Sequence, residues 1–196
     1  LHIVTQKGKG LKPAEENPGE FHAVSSIDLS HLTDPELSPK DSFSSTFGCA
    51  LADLGDDEPR VCGITAAMKY GTGLNFFKHR HPGRFFDVGM AEEHAVSFAA
   101  GLASQGILPV VAIYSTFFQR AYDQMIHDVC LGSLPVIFTV DRSGIVGNDG
   151  ETHQGIFDVP MLRTIPNTTI YAPATFEELR RCLTRAIYDT EGIAAV

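Results

Sequence analysis

The chain has 196 residues, is 43% hydrophobic, and sets 15 basic against 24 acidic side chains, a net charge of −9. That length suits one domain with an appendage, and so acidic a chain is a poor partner for nucleic acid or an anionic membrane. Its longest apolar runs, near 108–114 and 134–140, fall short of the ~20 residues a membrane helix needs, and Cys49, Cys62, Cys130 and Cys182 form no CxxC pair, which argues against a zinc site or a disulfide scaffold and fits a reducing compartment.

In chain order, Leu1–Thr5 reads as a strand and Lys7-Gly8-Lys9-Gly10 as a solvated turn. Residues 11–41 are broken by Pro13, Pro18, Pro35 and Pro39 and read as a linker or irregular segment. From residue 42 the pattern turns regular. A helix capped near Ser42 carries Phe43, Phe47, Ala50, Leu51 and Leu54 on one side. Strands are expected at 60–65, 84–88, 108–114, 135–140 and 168–171, and helices at 73–80, 91–105, 116–131 and 175–189. A long glycine-bearing loop fills 142–155, and the chain closes on an apolar run, Ile193–Val196. Strands alternating with helices imply crossover connections, and near-continuous apolar strands imply cover on both faces. The expected fold is α/β, a doubly wound, mostly parallel sheet over 42–196. No signal or transit peptide is visible, and both ends read as cut, so the chain is expected to be a fragment.

Ligands of such sheets sit outside the carboxyl ends of the strands, which directs attention to three segments. Glu92 opens the 91–105 helix, where it either complements the helix dipole or, if desolvated, serves as a proton donor. Tyr114, Phe117 and Arg120 gather at the exit of the 108–114 strand; one phenylalanine suits the core, while an arginine there suits a phosphate or carboxylate. Arg142, Asp149 and His153 sit in a loop whose length favours function. A lone histidine with an aspartate four residues earlier supplies too few ligands for a metal.

On Phe85-Phe86-Asp87-Val88-Gly89-Met90-Ala91-Glu92-Glu93-His94-Ala95-Val96, Tyr114-Ser115-Thr116-Phe117-Phe118-Gln119-Arg120-Ala121-Tyr122-Asp123-Gln124 and Asp149-Gly150-Glu151-Thr152-His153-Gln154-Gly155, the sequence resembles the middle domain of the 1-deoxy-D-xylulose 5-phosphate synthases. The likeness covers 42–196, and residues 1–10 resemble the last strand of that family's preceding domain. The resemblance implies a thiamine diphosphate- and Mg²⁺-dependent transferase of transketolase type. Such an enzyme joins pyruvate, with loss of CO₂, to glyceraldehyde 3-phosphate, for isoprenoid, thiamine and pyridoxal biosynthesis. It implies that Glu92 bonds the N1′ nitrogen of the cofactor's aminopyrimidine and that Phe117 stacks on that ring. Tyr114, Arg142 and Asp149 would bind the acceptor's hydroxyl and phosphate groups, with Arg120 nearby and His153 aiding proton transfer. The Mg²⁺ ligands belong to the preceding domain, so this chain alone is expected to be inactive. A homodimer is implied, in the bacterial cytoplasm or a plastid.

Three residues depart from the family pattern. Glu93 replaces the usual Gln and, if buried, would load charge beside Glu92. Ser143 stands where Ala is usual, and Glu151 where Pro or Gln is common. Two rivals stand: a transketolase or 2-oxo-acid dehydrogenase β subunit, which the 114–124 string opposes, and a non-catalytic dimerisation module, which has no need of Glu92, Arg142, Asp149 and His153.

Overall fold

A computed structural model of the chain describes residues 1–19, 21, 41–147 and 150–196. It falls into two compact units, 1–38 and 39–196. In the first, Leu1–Thr5 is not a strand: a strand needs a ladder partner, and these residues pair with none among the described residues of that unit. Within the expected linker, Lys12–Glu16 forms a short helix, α1, with Pro13 in its first turn and the Glu15 carboxylate accepting from the Gly10 amide at 2.8 Å.

The second unit is a six-stranded sheet in the order β2-β1-β3-β4-β6-β5, every neighbouring pair parallel. The strands are β1 (Val61–Thr65), β2 (Phe85–Asp87), β3 (Leu108–Tyr114), β4 (Ile137–Asp141), β5 (Thr168–Ile170) and β6 (Ile193–Ala195). Side chains along a strand alternate between faces, so Val110, Ala112 and Ile137 enter one core while Val111, Ile113 and Phe138 enter the other. On the first face lie α2 (Phe43–Asp57), α3 (Leu74–Arg80) and α8 (Phe176–Tyr188), supplying Phe47, Leu51, Phe77 and Leu183. On the second lie α4 (Glu92–Ala103), a helical run over 115–130 and α7 (Asp158–Leu162). The doubly wound architecture expected from the alternation is the one observed.

Local chemistry sets the helix ends. The Ser42 hydroxyl accepts from the Ser45 amide at 3.2 Å and starts α2. At its far end the Arg84 guanidinium donates to the carbonyls of Gly55 and Glu58, at 2.7 and 3.1 Å, which the helix itself cannot satisfy, and to that of Val61 in β1 at 3.1 Å. Thr175 caps α8 through the Glu178 amide, and Glu178 reaches back to the Ala174 amide. The 116–131 helix of the sequence reading is not uniform. It begins as α5 (Ser115–Phe118), tightens to a 3-10 turn (Gln119–Ala121), passes α6 (Tyr122–Gln124) and widens into a π-helical segment, Met125–Cys130.

Besides α1, neither β6 nor α7 was anticipated. The closing apolar run is β6, and it lies inside the sheet, between β4 and β5. The short α7 carries Pro160 and follows a long loop, so it offers too few residues for a helical period to show. Among the described residues no helix is long and apolar enough to cross a membrane.

Candidate active site

The winding of the sheet reverses at β1 and β3. From β1 the chain crosses outward to β2, then returns over β1 through α4 to β3 and continues the other way. Such a reversal leaves a crevice beyond the carboxyl ends of the strands. Into that region the sequence delivers Glu92, the first residue of α4, and Tyr114, the last of β3.

Glu92 is 2% exposed, a burial that dipole complementation alone does not require. A buried carboxylate needs a donor, and Arg120 supplies one: its guanidinium lies 3.3 and 3.2 Å from the two Glu92 oxygens. The same guanidinium overlies the Phe117 ring, 5.3 Å from its centre. Arg120, expected among the acceptor-binding groups, is thus engaged with Glu92 in this structure. The pairing follows from the 3-10 turn after α5, which carries Arg120 across to the start of α4. Glu93 is exposed, so the condition for its loading Glu92 with buried charge is not met. His94 is exposed as well and lies 6.0 Å from Phe98, ring to ring.

Phe118 is the phenylalanine that enters the core, fully buried against Phe138, which frees Phe117 for the site. Phe117 lies nearly parallel to Tyr114, centres 6.1 Å apart, and edge-on to His153 at 5.3 Å. His153 also meets Tyr114 edge-on at 6.2 Å, so three rings close one wall. Thr152 fixes that histidine: its hydroxyl bonds Nδ1 at 2.8 Å, while its carbonyl accepts from Thr116 Oγ1 at 3.2 Å. Gly71 lies against the Tyr114 hydroxyl, where any Cβ would collide.

Register explains how Arg142 reaches this wall. Tyr114 and Asp141 are paired neighbours at the ends of β3 and β4, so the next residue, Arg142, emerges beside the tyrosine. Its guanidinium sits 4.7 Å from the Tyr114 ring centre and 2.6 Å from an Asp141 oxygen. The other Asp141 oxygen accepts from Ser44 at 2.8 Å. Burial pushes the Asp141 carboxyl above its ordinary value, with Arg142 and Ser44 pulling in the opposite direction. A cleft of about 570 Å³ opens on the far side of this pair, walled by Phe47, Val159, Leu162 and Tyr171. Asp149, expected to bind the acceptor, lies outside the described residues.

The structure therefore links Glu92, Arg120, Phe117, Tyr114, His153 and Arg142 in one chain of contacts. Sequence reasoning named these six and gave no role to Asp141, which grips Arg142, or to Ser115 and Asp158, which bond one another beside it. Asp141 stood beside a named residue, but Ser115 and Asp158 are 43 positions apart and carry no local signal. Among the described residues no group of three or more His, Cys, Asp or Glu side chains is placed to hold a metal.

Comparison with known proteins gives the family. Residues 40–196 match the pyrimidine-binding domain of transketolase. The chain is similar to the 1-deoxy-D-xylulose-5-phosphate synthase of Carboxydothermus hydrogenoformans, 54% identical over 99% of this chain and 31% of that protein. It is 55% identical to the synthase of Magnetococcus marinus, with the same coverage. The chain thus spans about a third of the length of the curated relatives it matches. Among solved structures, a split-gene transketolase in an inactive β4 tetramer superposes with a TM-score of 0.69 at 28% identity, covering 78% of this chain and 49% of that one. The transketolase of Leishmania mexicana gives 0.67 at 24% identity, over 82% of this chain and 25% of that one, a likeness of fold.

Proposed function

The chain belongs to the transketolase pyrimidine-binding domain family, and from that premise we propose that it is the central domain of a 1-deoxy-D-xylulose 5-phosphate synthase. The observation that carries the reading is identity of 50–55% to curated synthases over 99–100% of the chain. On this reading residues 42–196 are the pyrimidine-binding domain, 1–10 end the preceding domain, and 11–41 link the two. The substrates are pyruvate and glyceraldehyde 3-phosphate, the working form is a homodimer, and the location is the bacterial cytoplasm or a plastid.

The residues present fit an aminopyrimidine. A buried carboxylate close to the aromatic ring of Phe117 suits such a ring, since the carboxylate can pair with its nitrogen and the phenylalanine can support it. When bound, thiamine diphosphate supplies the carbanion chemistry that breaks and forms the carbon–carbon bonds. Glu92 would hold a proton shared with the ring nitrogen, and Phe117 would support the ring from one side. Arg120, already on Glu92, would keep that carboxylate aimed. Arg142 and Asp149 would receive the acceptor's phosphate and hydroxyl groups, with Tyr114 between them and the ring. His153, its Nδ1 taken by Thr152, would exchange substrate protons through Nε2. Mg²⁺ and the diphosphate would be held by the preceding domain, so the chain alone does not turn over.

The test uses the full-length protein with thiamine diphosphate, Mg²⁺, pyruvate and glyceraldehyde 3-phosphate, with products identified by mass spectrometry. Deoxyxylulose phosphate is the expected product. Its absence from folded, cofactor-loaded protein would sink the reading and send the assay to ketose phosphates or lipoamide. Turnover by residues 1–196 alone would overturn the claim that half the site lies elsewhere.

A further inference from the structure

Two segments leave the sheet side by side, and the sheet does not hold them beyond its edge. Past β3 the chain turns at Ser115 into α5, and past β4 it enters the 142–155 loop. Asp158, the first residue of α7 and 6% exposed, reaches both. One of its carboxylate oxygens accepts from Ser115 Oγ, and the other from Ser143 Oγ at 2.7 Å. Gly155 closes the same knot from the far end of the loop. It exchanges backbone bonds with Gly144, at 2.7 and 2.9 Å. A Cβ on Gly155 would lie 2.6 Å from Ser115 Oγ and from the Arg142 carbonyl oxygen, and 2.7 Å from an Asp158 oxygen, so only glycine fits.

The residue restrained by this knot is a strained one. Arg142 has φ +62°, in the left-handed region that a side chain disfavours. Such a conformation persists only where its surroundings over-determine it. Here Asp141 grips the Arg142 guanidinium on one side, and the next residue, Ser143, is tied to Asp158.

We propose that Asp158 is a positioning residue for the acceptor half of the site: it ties Ser143, at the start of the 142–155 loop, to the turn that follows Tyr114, and so keeps Arg142 aimed beside Tyr114. The proposal rests on the reading of Arg142 as an acceptor-binding group. A carboxylate suits the position because two hydroxyl donors converge on it from different elements. Asparagine can still accept from one hydroxyl and donate to the other, whereas alanine offers neither. The Ser143 arm is a single hydroxyl, so it can be removed separately.

The test compares Asp158→Ala, Asp158→Asn and Ser143→Ala in the full-length protein by two measurements. The amides of Gly144 and Gly155 should exchange with solvent about tenfold faster in Asp158→Ala, while those of β1 and β3 stay as they were. The KM for glyceraldehyde 3-phosphate should rise about tenfold with the KM for pyruvate within about twofold, and Asp158→Asn should recover most of both effects. Ser143→Ala should move both measurements the same way by less, and it decides the matter if Asp158→Ala does not fold. Unchanged exchange at Gly144 and Gly155 in the alanine variants, or an equal rise in both KM values, would overturn the proposal. If the unsubstituted protein makes no deoxyxylulose phosphate, the reaction reading fails while the exchange data still decide on the clamp.

Discussion

The two faces of the sheet are built differently. The face carrying α2, α3 and α8 holds the large side chains Phe47, Leu51, Phe77, Leu183 and Ile187 on regular helices, of which α2 and α8 have side-chain caps. The face carrying α4 and the 115–130 run buries Phe118, Met125 and Phe138 as well, but its α4 packs through Ala95, Ala99, Ala100 and Ala103, and its helical run changes hydrogen-bond register three times. The first residue of α4, Glu92, has no side-chain cap before it, because Ala91 offers none. Small residues let α4 lie close to the sheet and bring a buried carboxylate to the strand ends. Register changes, like single-turn π segments at functional sites elsewhere, aim side chains that a straight helix would place wrongly. Both faces bury large side chains, and the second gives up helical regularity for the placement of Glu92, Phe117 and Arg120.

Substitutions can break that division. Phe77 is fully buried on the regular face, so Phe77→Ala should cost ~3–5 kcal/mol in urea denaturation, leaving a cavity the sheet cannot close. If that loss came with intact stability, the large residues would not be the source of the fold's strength. A smaller effect is expected at the cap: Ser42→Ala should cost ~1 kcal/mol, by the same measurement, through the Ser45 amide it leaves unsatisfied. Ala91→Ser, at the uncapped start of α4, is the complementary change and should not lower stability.

The smallest effect concerns acidity. Burial raises the folded-state pKa of Asp141 above its ordinary value, so the folded protein takes up this proton more readily than the unfolded chain. The ionised carboxylate therefore costs stability above that raised pKa, and the cost is withdrawn as pH falls through it. Asp141→Asn lacks this dependence. Its stability relative to the unsubstituted protein should be greatest near pH 7 and decline on acidification, and a difference independent of pH would contradict the burial argument.

The same division explains what could be read from the sequence. Regular elements announce themselves: β3 lies at Leu108–Tyr114 as its apolar run indicates, and α8 starts after Thr175 because its cap and first-turn acids are local features. The site was legible in its members but not in its joints. Glu92 and Arg120 are 28 residues apart, and only the 3-10 turn brings them together. Ser115, Ser143 and Asp158 meet through tertiary packing that no periodicity encodes. β6 escaped assignment because three apolar residues carry too little pattern to reveal an interior strand.

The central claim is that the irregular face presents Glu92 to the aminopyrimidine of a synthase. Its most direct test is the steady-state rate of deoxyxylulose phosphate formation by the full-length protein and its Glu92→Ala variant, with thermal unfolding measured beside it. The account predicts a rate lower by about a thousandfold and a melting temperature little changed, since a carboxylate used for proton sharing contributes on that scale to turnover. A variant that retains most of the rate while folded and cofactor-loaded would contradict it.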